Sequence, residues 1–252
     1  MKHNYHTHTF RCNHASGTDR EYVETAIQNG MKTLGFSDHA PYLFPFNDYY
    51  SFYRMKVDEI EEYAQSVRAL AKEYEKDIRI LCGFELEYYP EYHKDEMAFL
   101  NTVKPDYLIL GQHFIGDERC NYGGKRLKDD FALVAYVSHA LAGLATGDFL
   151  YLAHPDLAGV HFTPEMVAQE YRRLCEGAKR MHIPLEINFL GLREQRHYPS
   201  EVFLKIAAEV GNDIIFGSDA HEPESVFDWK TEEKAKKIVQ ELGLHLIEDA
   251  IL

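Results

Sequence analysis

The chain has 252 residues, of which 45% are apolar and 27% charged, so it holds enough apolar material for a sizeable core and too much for wholesale disorder. Its formal net charge of -14 argues against a general affinity for nucleic acid or anionic membranes and favours a small-molecule partner. Because α/β barrels routinely reach this length as one unit, we expect a single domain over residues 1–252.

The four cysteines are scattered and form no C-x-x-C pair, which is typical of reduced thiols in the cytosol. The opening residues, MKHNYHTHTFRCNH, lack an apolar signal-peptide core, and no segment approaches the roughly 20 apolar residues that span a bilayer. The sequence therefore predicts a cytoplasmic protein with no membrane partner, and leaves monomer and homodimer both open.

Short apolar runs rich in β-branched residues alternate with longer helical patterns along the whole chain. This alternation predicts a parallel sheet with crossover helices, that is, an α/β fold. The candidate strands lie at 3–8, 33–38, 78–86, 107–113, 149–154, 184–190 and 213–219, with a weaker one at 244–247.

Two helices and one loop stand out between the early strands. Thr18 and Glu21 have the spacing of a capping box and open a predicted helix over 19–30. Apolar residues at helical spacing predict a second helix over 54–76. The segment 40–53 between them holds two prolines and seven aromatic residues, too apolar for a simple linker, and we expect it to cover a pocket.

Residues able to bind metal stand at the ends of nearly all these strands. His6-Thr-His8 alone is a weak signal, although alternate strand residues face the same side. Because the carboxyl ends of barrel strands open on one face, side chains distant in sequence converge there. Those at the other strand ends are His39, Glu85, His113, His154, Asp219 and His221.

Imidazoles with a few carboxylates suit zinc, iron or manganese better than calcium or magnesium. The alternative is that these histidines are core or capping residues that happen to fall at strand ends. Asp38 and Glu87 lie close in sequence to ligand candidates, and either orient them or are simply buried. Cys12 is left out of the ligand set because no second cysteine supports it.

The residues that carry these signals also resemble a known family, the polymerase and histidinol phosphatase superfamily, and within it the stand-alone histidinol-phosphatases. The matching features span nearly the whole chain. In order they are HTHTFRCNH, GFSDHAPY, the pair Arg54-Met55, CGFELEYYP, GQHF, LAHPDL, EINFLGLR and GSDAH.

The resemblance implies a distorted (β/α)7 TIM-like barrel that holds two to three divalent transition-metal ions. It adds His14 to the ligands. One implied metal site consists of His6, His8, Glu85 and Asp219; a second consists of Glu85, His113 and His154; a third consists of His14, His39 and His221.

The same resemblance implies the catalytic and substrate-binding residues. Asp219, His221 and Arg193 are predicted to act in catalysis, and Arg193, His197 and Arg54 to bind substrate. The planar fork of Arg193 suits two phosphate oxygens, although an ordinary surface salt bridge is the alternative. Two departures concern substrate preference: GQHF lacks the usual small residues before its histidine, and LREQRHYPS is crowded with charge. Further basic candidates, which the sequence does not rank, are Lys125, Arg119 and Arg196.

These features predict a phosphoric monoester hydrolase, in which a metal-bridging hydroxide attacks phosphorus. The predicted substrate is L-histidinol phosphate, cleaved to L-histidinol and phosphate in histidine biosynthesis. Its cationic groups would meet the loop residues Tyr42, Asp48, Tyr49 and Tyr50. The proton donor for the leaving group stays open between a metal-bound water, Asp219 and His197.

Three alternatives remain. The first is a related phosphoesterase acting on another small phosphate ester, a nucleotide or a phosphotyrosyl protein, which substrate profiling separates. The second is an amidohydrolase that cleaves C–N bonds and also begins with H-x-H. The third is a non-catalytic metal-binding module, which requires a site closed by protein ligands.

Overall fold

The computed structural model describes residues 1–45, 49, 51–116, 118–119, 121–125, 131–159 and 162–252. Two of the four loop residues predicted to receive the leaving group, Asp48 and Tyr50, lie outside the described residues.

Four parallel strands form one side of the molecule: β1 (His3–Asn4), β2 (Thr33–His39), β3 (Arg79–Leu86) and β4 (Tyr107–Leu110). All seven residues of β2 are buried, as expected for strands covered on both faces. The register pairs Thr33 with Arg79 and His39 with Glu85, so the carboxyl ends of β2 and β3 lie side by side. A short antiparallel hairpin follows, made of β5 (Phe114–Ile115) and β6 (Asn121–Tyr122).

The sheet curls round and meets itself. Leu152 bridges Leu110 on one side and Leu185 on the other, which connects β4 to β7 (Leu185–Asn188). The next strand, β8 (Asp213–Gly217), pairs with β7, and a parallel bridge between Thr7 and Ala220 returns the sheet to the β1 segment. The short β9 (His245–Leu246) pairs with the first two residues of β8.

Most of the predicted strands are shorter than expected, and the first and fifth are shortened most. The first, predicted over 3–8, is a regular strand only at His3–Asn4. It ends there because the Asn4 side chain forms hydrogen bonds with the residues that follow. Asn4 Oδ1 accepts from the His6 amide at 3.2 Å, and Asn4 Nδ2 donates to Thr7 Oγ1 at 2.7 Å. The fifth, predicted over 149–154, is reduced to the bridge at Leu152, since His154 takes a positive φ of 28° and turns the chain.

Helices cover the outside of the sheet. They are α1 (Asp19–Gln28), α2 (Ile60–Glu73), α3 (His93–Leu100), α4 (Phe131–Leu144), α5 (Pro164–Arg180), α6 (Phe189–Arg193), α7 (Glu201–Val210) and α8 (Trp229–Leu242). The predicted capping box of Thr18 and Glu21 is confirmed, with both of its hydrogen bonds present. None of the described helices is long and apolar enough to cross a membrane.

The helix predicted over 54–76 begins later and ends earlier than expected. A 3-10 turn at Val57–Glu59 precedes α2, where the Glu59 side chain accepts from the Lys56 amide at 2.8 Å. The prediction also extended the sixth strand to residue 190. Instead, the Asn188 side chain accepts from the Gly191 amide at 2.9 Å and caps α6, which therefore starts directly at the end of β7.

Aromatic side chains fill the inside of the curled sheet. Tyr5, Tyr107 and Tyr151 form a buried cluster there together with aliphatic residues. The Tyr107 hydroxyl lies 2.8 Å from the Tyr5 carbonyl and 3.0 Å from that of Phe36, so it links two neighbouring strands. The interior is thus packed, and the space for chemistry lies at the carboxyl ends of the strands.

Candidate metal centre

The predicted ligand residues come together at the carboxyl ends of the strands, in segments far apart along the chain. They are His6, His8 and His14 after β1, His39 in β2, Glu85 in β3, His113 after β4, His154 after Leu152, and Asp219 and His221 after β8. The structure therefore places all nine in one region, eight of them named from the pattern of strand ends and His14 from the family resemblance.

The first implied group surrounds the carboxylates of Asp219 and Glu85. Asp219 Oδ1 lies 3.6 Å from His6 Nε2 and 3.2 Å from His8 Nε2. Glu85 Oε2 lies 3.6 Å and 3.5 Å from the same two nitrogens. Four donor atoms from three separate stretches of chain thus surround one small volume.

The second implied group uses the other oxygen of the same glutamate. Glu85 Oε1 lies 2.8 Å from His154 Nε2 and 3.7 Å from His113 Nε2. The two imidazole rings are 4.6 Å apart, centroid to centroid. Because its two oxygens face different histidines, Glu85 is placed to bridge two cations.

The third implied group consists of histidines alone. His14 Nε2 and His221 Nε2 lie 3.0 Å apart, and ring nitrogens of His14, His39 and His221 lie within 4.8 Å of one another. His39 Nδ1 is also 2.9 Å from Glu85 Oε2, so this group adjoins the other two.

The donor atoms fit divalent metal ions. His6 Nε2, His8 Nε2 and Glu85 Oε2 are buried and have no hydrogen-bond partner among the described residues. A buried polar group without a partner costs on the order of 1–3 kcal/mol, and a cation shared among these atoms would satisfy them together. Nitrogen donors mixed with carboxylates favour a transition metal, zinc included.

Two glycines leave room for the carboxylates. A Cβ atom on Gly111 would lie 1.8 Å from Glu85 Oε1, and one on Gly217 would lie 1.7 Å from Glu186 Oε1. Both glycines come directly before motif residues, in GQHF and GSDAH. Any larger residue at either position would displace a carboxylate of the centre.

The charges of the centre balance one another. Burial alone would raise the pKa values of Glu85 and Asp219, but the surrounding histidines hold both well below their usual range. Burial lowers the pKa of His8, yet the carboxylates of Asp219 and Asp38 beside it outweigh burial and raise that pKa to about 9. For His221, burial and the adjacent His8 charge lower the pKa to about 3. Metal ions bind ionised carboxylates and neutral imidazoles, so a bound cation would take the place of the proton on His8.

Glu186 is the main residue of the centre that the sequence reading missed. Its Oε1 lies 2.7 Å from His6 Nδ1, and its Oε2 accepts from the His154 amide at 2.9 Å. Asn188 donates to Glu186 at 2.9 Å and to Asp219 at 3.0 Å. The available signal was the alternation of Glu186 and Asn188 in the segment EIN, which puts both polar side chains on one face of a buried strand.

Asp38 and Glu87, named as orienting partners or buried residues, both lie against ligands. Asp38 Oδ1 is 3.6 Å from His8 Nδ1, and Glu87 Oε1 is 3.0 Å from His113 Nδ1. A carboxylate at the far nitrogen of an imidazole fixes which nitrogen is available for the metal. Glu87 is within hydrogen-bond distance for that role, whereas Asp38 lies beside His8 beyond hydrogen-bond distance.

A cavity of about 540 Å³ opens above the centre. Seven of the nine ligands form its floor, whereas His6 and His8 are buried and do not line it. Its walls are aromatic and charged. The described wall residues are Phe52, Tyr53, Arg54, Glu87, Phe114, Tyr122, Lys125, Leu190, Glu194, Arg196 and Tyr198. The cavity has the size of a small-molecule site.

The predicted substrate-binding residues are placed differently from the ligands. Arg54 lines the cavity, but its Nη2 donates to Glu87 at 2.8 Å and its Nε to Glu118 at 2.6 Å. Arg193 is not among the described wall residues, and its Nη1 points toward Asp228 at 3.8 Å. Because this nitrogen is buried and has no hydrogen-bond partner among the described residues, the role of Arg193 stays a prediction.

His197 and the aromatic loop also differ from expectation. His197 is not among the described wall residues, and its Nε2 lies 2.7 Å from the Leu157 carbonyl. Tyr42 is buried, with its hydroxyl on the Glu87 carbonyl, while the Tyr49 hydroxyl donates to Glu118 at 2.7 Å. Tyr42 and Tyr49 therefore pack against Glu87 and Glu118, whereas Phe52 and Tyr53 of the same segment line the cavity.

A curled parallel sheet with histidines and carboxylates converging at its carboxyl end defines a metal-binding α/β barrel. The PHP domain family model matches residues 4–189, so the chain belongs to the PHP family. The predicted family membership and the predicted distorted barrel are both confirmed.

Relatives and solved structures support this assignment. The chain is 29% identical to a probable histidinol-phosphatase of Deinococcus radiodurans, over 88% of this chain and 86% of the relative. It is 26% identical to the histidinol-phosphatase of Bacillus subtilis, over 88% of this chain and 94% of the relative. The fold matches a histidinol phosphate phosphatase from Lactococcus lactis, solved with zinc, L-histidinol and phosphate. That match has a TM-score of 0.73 at 20% identity and covers 98% of this chain and 95% of the other.

Proposed function

We propose that the protein hydrolyses a phosphate monoester with the help of bound divalent transition-metal ions, and that the ester is L-histidinol phosphate. The observation that carries this proposal is the set of buried donor atoms without hydrogen-bond partners on His6, His8 and Glu85, beside a cavity that Glu85 lines. The names of the Deinococcus and Bacillus relatives support the substrate. The products are L-histidinol and phosphate, which makes the reaction a step of histidine biosynthesis.

The nine ligands hold two to three ions in the proposed division. His6, His8, Glu85 and Asp219 hold one; Glu85, His113 and His154 hold a second; His14, His39 and His221 hold a third. Such ions, when bound, supply the Lewis acidity and the activated water that phosphate ester hydrolysis requires.

The protein residues supply orientation and exclusion of water. Glu186 fixes the ring of His6, while Asn188 holds the second oxygen of Asp219. Asp219 and His221 stand where the floor meets the cavity, so they are the candidates for moving a proton during the reaction. The role of Arg193 in catalysis stays a prediction; its buried Nη1 lies 3.8 Å from Asp228 and has no hydrogen-bond partner among the described residues.

The walls suit the alcohol part of the substrate. Phe52, Tyr53 and Phe114 offer flat apolar faces for an imidazole ring. An ammonium group would meet the carboxylate of Glu194 on the wall, which also pairs with Arg196. An aromatic, cationic leaving group thus meets complementary chemistry on the walls, while the phosphate meets the floor.

The test is phosphate release from L-histidinol phosphate against a panel of other phosphate esters, with the metal content measured on the same sample. We expect the highest kcat/KM for histidinol phosphate and at least two metal equivalents per chain. If histidinol phosphate were cleaved no faster than generic esters, the substrate assignment would fail and the phosphatase class would stand. If no ester were cleaved by the metal-loaded protein, the proposed function would be wrong.

A further inference from the structure

The charged stretch that departs from the family pattern, LREQRHYPS, forms part of the cavity wall. It contributes Glu194, Arg196 and Tyr198, which face the same cavity as Asp219 and His154. These three residues are connected to one another. Arg196 donates from Nε to Glu194 at 2.8 Å and from Nη1 to the Tyr198 hydroxyl at 2.9 Å.

The two arginines of the wall, Arg54 and Arg196, differ in how many N–H groups remain available to donate a hydrogen bond. Arg54 lies between two carboxylates, Glu87 and Glu118, and also donates to the Ala40 carbonyl at 2.9 Å. Arg196 pairs with a single carboxylate, that of Glu194. A guanidinium has five N–H groups, so Arg196 keeps unused donors on its two terminal nitrogens after these bonds. Its pairing with Glu194 holds the planar group in one orientation.

Tyr198 stands next to a metal ligand. Its ring meets the His154 ring edge to face at 6.0 Å between centroids, and only 3% of the residue is exposed. Because its hydroxyl oxygen accepts from Arg196, the hydroxyl hydrogen is directed elsewhere, and no acceptor for it is found within the described part of the chain.

We propose that Tyr198 and Arg196 bind the phosphoryl group on the side away from the metal cluster, with Tyr198 donating one hydrogen bond to a phosphoryl oxygen. Glu194 is a positioning residue that holds Arg196. This assignment adds Arg196 to Arg193, the phosphate-binding arginine that the family resemblance implies. It rests on the proposed phosphatase activity but not on the identity of the leaving group.

The test compares four variants of the metal-loaded protein: Tyr198→Phe, Arg196→Met, Arg193→Met and Arg172→Met. Arg172 is the matched control, since it is exposed on α5 and pairs with Glu209 on a neighbouring helix. The measurements are kcat and KM on the best ester of the panel, affinity for inorganic phosphate by calorimetry, and metal content.

We expect Arg196→Met to weaken phosphate binding about tenfold or more, since a hydrogen bond to a charged group is lost. Tyr198→Phe should lower kcat/KM by about tenfold, with unchanged metal content. Arg172→Met should match the wild type in all three measurements.

Wild-type values for Arg196→Met or Tyr198→Phe would overturn the proposal, and so would a loss of phosphate binding confined to Arg193→Met. Loss of metal from Tyr198→Phe would also overturn it, because Tyr198 would then merely support His154. If the wild type cleaves no ester, the proposed function fails, and phosphate calorimetry on the same variants still decides this inference.

Discussion

At the scale of single residues, Glu85 is the side chain on which the division of the metal centre depends. Its two oxygens face different sets of histidines, at 2.8 Å for His154 and 3.5 Å for His8. His14, in contrast, adjoins only the histidine group. The two residues therefore differ in how many ions each would hold.

We predict that Glu85→Ala removes about two metal equivalents per chain, whereas His14→Ala removes about one. The measurement is elemental analysis of purified, dialysed protein, with circular dichroism to establish that each variant is folded. Glu85→Gln keeps the shape of the side chain and removes its charge, so it tests whether the charge alone is needed for metal binding. Equal and negligible losses in Glu85→Ala and His14→Ala would contradict the division into three sites.

Glu186 gives a second prediction at this scale. Glu186 contacts Nδ1 of His6 and accepts a hydrogen bond from the His154 amide. It thereby orients two ligands without being a proposed ligand itself. We expect Glu186→Gln to weaken metal affinity roughly tenfold to a hundredfold while the protein stays folded. Chelator competition measures the affinity. Glu176→Gln on the exposed face of α5 is the control, and similar affinities for the two variants would show that Glu186 has only a packing role.

At the scale of elements, α3 carries a buried glutamate that the centre does not use. Glu96 is 1% exposed, and it accepts only from the Leu43 amide, at 3.3 Å, among the described residues. Burial raises the pKa of Glu96 from 4.5 to about 8. The folded protein thus prefers the protonated acid, whereas the unfolded chain ionises near the ordinary value.

This difference predicts a pH-dependent stability. Because the folded pKa is the higher one, the contribution is fully present below about pH 4.5 and is lost as pH rises to about 8. The loss is on the order of 3 kcal/mol. Glu96→Gln should therefore be more stable than the wild type at pH 8 and lose less stability between pH 5 and pH 8.

Urea unfolding at several pH values measures this effect, with the exposed Glu91→Gln as the control on the segment before α3. A pH dependence identical in wild type and Glu96→Gln would show that Glu96 ionises normally in the folded state.

The elements also show where sequence patterns succeed. The capping box of Thr18 and Glu21 was predicted because both partners are close in sequence. The start of α2 and the end of β7 were misplaced, because local side chains compete there with the regular pattern. Asn188 caps α6, and Glu59 caps the turn before α2. Such competition depends on which backbone groups the rest of the fold leaves available.

At the scale of the whole molecule, the metal centre connects the first and last strand segments of the barrel. His6 and His8 come from the start of the chain, and Asp219 and His221 from near its end. Cations shared among them would stabilise the closed sheet, which the Thr7–Ala220 bridge otherwise closes. Metal binding and the stability of the whole fold are therefore expected to be coupled.

We predict that exhaustive chelation abolishes phosphate release and lowers Tm by several degrees, and that adding manganese or zinc restores both. Differential scanning calorimetry of the metal-free and reloaded protein measures the change, since a ligand that binds only the folded state raises its stability by mass action. The same Tm with and without metal would contradict the coupling. Activity that survives removal of all metal would contradict the metal-dependent reaction.

By itself, the sequence determined the alternation of strands and helices and the placing of metal-binding residues at strand ends, because both depend on local order along the chain. Only the tertiary structure decided which donors share a carboxylate, that Glu186 supports His6, and that Arg196 lines the cavity while Arg193 faces Asp228. These relations join residues from different strands and loops. The distances between them depend on how the sheet curls and closes, and no local sequence pattern predicts that.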